Sequence, residues 1–88
     1  MSGPSTDTAL QDALRSLLAG RAGTVCPSEA ARAVGGEDPE VWRALMPAAR
    51  EAAGRLADAG EVDVTQRGEV VDVRTARGPV RVRRRPAG

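Results

Sequence analysis

The chain has 88 residues, 41% of them hydrophobic, with one cysteine, no histidine, a single aromatic (Trp42) and thirteen arginines against twelve acids for a net charge of +1. That length makes one small domain burying roughly 60% of its unfolded surface and leaves no room for a deep active-site cavity. A single cysteine excludes an internal disulfide, the absence of histidine removes the usual zinc ligands, and no run approaches the ~18 apolar residues of a membrane span, so no metal, cofactor or membrane partner is expected.

The N-terminal MSGPSTDT has neither the basic nor the apolar region of a secretion signal, and a reducing, cytoplasmic setting is expected. Every basic residue is arginine, which fits a GC-rich coding composition as well as it fits selection for guanidinium chemistry. The charge is unevenly placed: residues 1–71 hold seven arginines and eleven acids (7 − 11 = −4), while residues 72–88 hold six arginines and Asp72 alone (6 − 1 = +5). A block of one sign beside a hairpin is an electrostatic footprint for a polyanion or an acidic protein face.

Residues 1–5 are Ser/Gly/Pro and read as disordered. Thr6 or Asp7 is expected to cap a helix over 7–19, whose Leu10, Leu14, Leu17 and Leu18 follow helical spacing to a stop at Gly20. Thr24-Val25 suits only a minimal strand. A second helix, 27–34, opens with Pro27 at a position that needs no donor and Glu29 in its first turn, with Ala30, Ala31 and Val34 inward. Asp38-Pro39-Glu40 repeats that start signal for a short turn over 39–45, with Trp42 as the largest core residue. Pro47, which a continuous helix would tolerate only at a cost of about 3 kcal/mol, begins a fresh helix over 47–59. Its inward side is Ala49, Ala52, Ala53 and Leu56, with Glu51 and Arg55 as an exposed pair.

From Glu61 the hydrophobic period becomes two. Val62 and Val64 share one face, Gln66-Arg67-Gly68-Glu69 turns the chain, 74–78 is a loop, and Val80-Arg81-Val82-Arg83 alternates apolar and basic positions. Helices followed by an arginine-bearing hairpin outline a single α+β winged helix-turn-helix over 6–84, with three main helices, a small antiparallel sheet and a basic, flexible terminus at 85–88.

The segments Val25-Cys26-Pro27-Ser28-Glu29-Ala30-Ala31-Arg32, Trp42-Arg43-Ala44-Leu45-Met46-Pro47 with Arg50, Gly60, Gln66-x-Gly68, Val71-Asp72 and Gly78-Pro79-Val80-Arg81 stand in fixed order over about residues 8–84. In this the chain resembles a small bacterial family known only as a domain of unknown function. The resemblance implies a winged-helix-like fold and brings no substrate. One departure is Val73, where a proline is expected after the Val-Asp pair.

In a helix-turn-helix the later helix offers its N-terminal residues to base edges, which singles out Arg50, with Arg43 just before the helix. Arg67, Arg74, Arg77, Arg81, Arg83, Arg84 and Arg85 suit phosphate contacts from a wing. Against this stand a solvated basic tail balancing an acidic body, and an Arg50 that merely pairs with a nearby acid. Trp42 has no aromatic neighbours with which to stack bases. Cys26 sits where a helix N-terminus lowers a thiol pKa, but without His, Lys or Tyr it lacks a general base, so it reads as structural and no enzyme is expected. The glycine-rich turns have neither the spacing nor the lysine of a phosphate loop. The expectation is a non-catalytic module binding double-stranded DNA, with a winged-helix module docking an acidic protein as the alternative.

Overall fold

Leu10, Leu14 and Leu18, one helical turn apart, lie buried along one side of α1 (Thr6–Ala19) in the computed structural model, which describes residues 5–86. The expected N-terminal disorder over 1–4 and the tail at 87–88 lie outside the described residues. Ser5 belongs to the fold: its backbone is extended and its hydroxyl accepts a hydrogen bond from the Thr8 amide at 3.1 Å, so it, and not Thr6 or Asp7, is the N-cap.

Helix α2 (Pro27–Gly35) starts as its sequence predicts, Glu29 reaching back to accept the Cys26 amide at 2.9 Å. Ala30 and Ala31 are buried, but Val34 is 38% exposed because the helix runs past the edge of the core before Gly36, at φ +87°, ends it. Helix α3 (Pro39–Ala44) is a short element capped by Asp38, and Leu45 joins it to α4 (Met46–Asp58), with Pro47 in the first turn where no amide is missed. On α4, Ala49, Ala52, Ala53 and Leu56 are buried, and the small alanine side chains let this helix pack closely on α1, α2 and β1.

Trp42 is not the core residue its size suggests. A six-residue α3 lies on the rim, so the indole is only half-buried, and its neighbour Val41 is 44% exposed.

The sheet is antiparallel in the order β2-β1-β3: β1 (Val62–Gln66) pairs with β2 (Glu69–Val70) on one side and β3 (Arg81–Arg84) on the other. Val64 opposes Val82, and both are buried against the helices. Val25 forms the expected minimal bridge to the free side of Val82, closed by N–O bonds of 2.8 and 2.7 Å. The β1–β2 turn puts Arg67 at φ 54° and Gly68 at φ 85°, the two left-handed positions of a type I′ turn that matches strand twist. Beyond Val70 the chain leaves the ladder, crosses the outer side of α4 as a loop over 71–79, and returns as β3. The fold is therefore α+β, four helices against a three-stranded sheet, and among the described residues no helix is long and apolar enough to cross a membrane.

Candidate nucleic-acid interface

The arginines that the sequence groups as one basic surface are divided by the fold into neutralised, structural and unpaired ones. Arg50, on the first turns of α4, spends its guanidinium on the main chain. Nη2 donates to Val73 O at 3.2 Å and Ala76 O at 2.6 Å, and Nη1 to Gly78 O at 3.1 Å. Three carbonyls within one loop gather round a planar fork of donors, a geometry that a lysine could not reproduce. Arg50 thus shapes the 72–78 loop rather than standing free to meet a base. Val73, at the position where the family pattern expects proline, is buried beside it.

Arg74 leaves the same loop and lies across α4. Its Nε and Nη2 donate to Glu51 and its Nη1 and Nη2 to Asp58, at 3.1–3.4 Å. Gly54 makes room for it: a Cβ there would stand 2.9 Å from the guanidinium carbon. The hydrogen bonds that Arg74 donates to Glu51 and Asp58 raise its pKa further. The Glu51–Arg55 pair is stretched to 3.9 Å, and Glu51's nearer partner is Arg74. The outward face of α4 therefore carries carboxylates already bridged by the protein's own arginine.

On the sheet, Asp63 stands directly opposite Arg83 in the β1–β3 register and takes contacts from Arg83 at 3.3 Å and Arg85 at 2.8 Å. The hydrogen bond from Arg85, followed by that from Arg83, holds the Asp63 carboxyl below the usual range. Arg85 also donates from Nη2 to Val62 O at 3.1 Å and from its amide to Glu61 O at 3.0 Å. It is anchored to the sheet, where a flexible basic terminus was expected from residue 85. Arg81 turns to Thr24, its Nε on the hydroxyl at 2.7 Å and its Nη2 on the carbonyl at 3.2 Å. Arg43 and Arg32 stack on Trp42, with guanidinium carbons 5.4 and 4.4 Å from the ring centroid.

Arg67, Arg77 and Arg84 remain, exposed and without an ion-pair partner among the described residues. Arg67 and Arg77 belong to one end of the molecule. Gln66, next to Arg67, donates through Nε2 to the carbonyls of Arg77 and Pro79, while Arg50 ties that loop to the start of α4. Arg84 lies at the other end of β3. Sequence reading missed Asp63, and it missed that Glu51 and Asp58 pair with Arg74 and that Gln66 reaches the Arg77 and Pro79 carbonyls, contacts that decide which arginines are free. Asp63 was the readable one, since it is the acid on the β1 face that an antiparallel partner would fill with arginines.

The fold and this surface define a small α+β domain with a hairpin end bearing unpaired arginines. The chain belongs to the family described as "Protein of unknown function (DUF3253)", whose model matches residues 7–85. No curated protein matches it.

Proposed function

We propose that the chain is a non-catalytic winged-helix module that holds double-stranded DNA by its phosphates, through Arg67 and Arg77 at the hairpin end with Arg43 ahead of α4. The observation that carries this reading is the selective neutralisation just described: acids cancel Arg74, Arg83 and Arg85 but leave Arg67 and Arg77 without an ion-pair partner among the described residues, at the end where Gln66 holds the Arg77 and Pro79 carbonyls and Arg50 ties that loop to α4. Topology supports the winged-helix part. Helix α4 follows α2 after the short α3, the β1–β3 pair follows them, and Val25 occupies the place of the short strand beside β3, with the 67–80 connection as the wing. In this reading α4 approaches the duplex by its N-terminal end, where its dipole favours phosphate, rather than by its acid-bearing outer face.

A second reading, a module docking an acidic protein, is favoured by one feature. The half-buried Trp42 and the 44%-exposed Val41 form an apolar spot rimmed by Arg32 and Arg43. Fluorescence anisotropy of a mixed-sequence duplex with wild type and an Arg67→Ala/Arg77→Ala variant separates the two. DNA binding lost in the variant supports the first reading, and absence of binding to the wild type leaves the second.

A further inference from the structure

A concavity of about 330 Å³ lies between the α1–α2 connection and the end of β3, lined by Leu18, Arg21, Thr24, Arg83, Arg84 and the Ala22-Gly23 turn. Its lining contains no carboxylate, whereas the neighbouring hollows include Glu51, Glu61, or Asp58 with Asp72. Its three arginines differ in state. Arg21 is held in place by Glu29 at 2.8 Å and by the Thr24 carbonyl at 3.3 Å, which occupy two of its five N–H groups. Arg83 shares Asp63 with Arg85, through contacts of 3.3–3.4 Å, longer than Arg85's own 2.8 Å. Arg84 has no ion-pair partner among the described residues. The amides of Ala22, Gly23 and Thr24 likewise have no main-chain acceptor among the described residues, while the flanking Arg21 and Val25 amides do.

We infer that this concavity is a phosphate site, in which Arg84 supplies the charge, Arg21 the N–H groups that Glu29 and Thr24 leave unoccupied, and the 22–24 turn amide donors. Guanidinium forks and successive free main-chain amides are the two donor types that suit a tetrahedral oxyanion. Arg21 is already fixed by Glu29, so little of its side-chain freedom is lost when the anion arrives. The site is separate from Arg67 and Arg77, at the opposite end of β3, and its existence does not rest on the DNA reading. Only the identity of its occupant does: a phosphate of the duplex backbone or a free phosphate.

The test is a titration of ¹⁵N-labelled protein with inorganic phosphate at constant ionic strength, following the amides of residues 22–24. Saturable shifts confined to that turn and to Arg84 are expected, with affinity at least tenfold weaker in Arg84→Ala and Arg21→Ala and unchanged in Arg67→Ala. Shifts that grow linearly without saturating, or an unaltered titration in Arg84→Ala with native amide dispersion, overturn the site. Duplex titration of the same variant identifies the source. A several-fold loss of affinity, with the log-log salt slope reduced by about 0.9, assigns the phosphate to DNA. Unchanged duplex affinity overturns that assignment in favour of free phosphate. A wild type that saturates with phosphate but ignores duplex overturns the DNA function and leaves the site standing.

Discussion

Arg50 and Arg74 leave the same stretch of structure in opposite senses, and the difference explains what each is for. Arg50 belongs to α4 and reaches into the loop, where three carbonyls receive it; Arg74 belongs to the loop and reaches onto α4, where two carboxylates receive it. Charge-assisted bonds to the main chain contribute about 1.5–3 kcal/mol, whereas exposed ion pairs contribute little. Arg50→Lys, which keeps the charge and loses the fork, is therefore expected to lower stability by about 1–2 kcal/mol, seen as a fall in Tm of about 4–8 °C per kcal/mol and faster amide exchange over 72–78. Arg74→Ala should leave Tm nearly unchanged. Gly54→Ala probes the same contact. The helix gains about 1 kcal/mol from alanine over glycine, but the new Cβ displaces the Arg74 guanidinium. The contact is with the far end of a flexible side chain whose exposed ion pairs contribute little, so the substitution should stabilise by about that amount in wild type and in an Arg74→Ala background alike, a near-additivity that a double-mutant cycle measures.

At the scale of elements, the β1–β2 turn carries a conflict between shape and charge. Arg67 holds a left-handed backbone that asparagine adopts more readily, and Asn-Gly is the favoured pair for this turn. Arg67→Asn is expected to hold or raise Tm while weakening duplex binding, the outcome that an arginine kept there for its charge would give. The helices themselves were legible because their signals are local. Asp38-Pro39-Glu40 and Pro47 mark starts, and the alanine stripe of α4 marks the buried side, so the break between α3 and α4 appears where the sequence puts it. What was not legible depends on pairing across the chain. Arg83 and Arg85 find Asp63 some twenty residues away, and Arg74 finds Glu51 at a similar distance, through a register and a loop path that periodicity does not encode. Trp42 failed for the complementary reason: residue size favours burial, but a short rim helix has no depth in which to bury it.

For the whole molecule, the charge dipole read along the chain folds up into local cancellation, because the acids of α4 and β1 take up arginines of the C-terminal block. The pH behaviour follows from those pairs. The carboxyls of Asp63 and Glu61 are held low chiefly by hydrogen bonds from Arg85 and Arg15, and that of Glu29 by the Cys26 amide. A carboxyl whose folded pKa is depressed stabilises the fold above its unfolded value, about 4, and that stabilisation is lost as pH falls through the folded value. With no histidine in the chain, Tm is expected to be flat from about pH 5 to 8 and to fall below about pH 4. A pronounced change near pH 6.5 would contradict this account of the ion pairs.

The central claim, that the unpaired hairpin-end arginines Arg67 and Arg77 carry duplex binding while the acid-paired Arg83 and Arg85 do not, is tested most directly by anisotropy of a mixed-sequence duplex at about 50 and 200 mM salt, a range over which phosphate-driven binding falls steeply. Wild type should bind at the lower salt and weaken sharply at the higher; Arg67→Ala/Arg77→Ala should lose most of that binding, and Arg83→Ala/Arg85→Ala should retain it. No binding of wild type at about 50 mM, or equal losses in the two double variants, would contradict the claim.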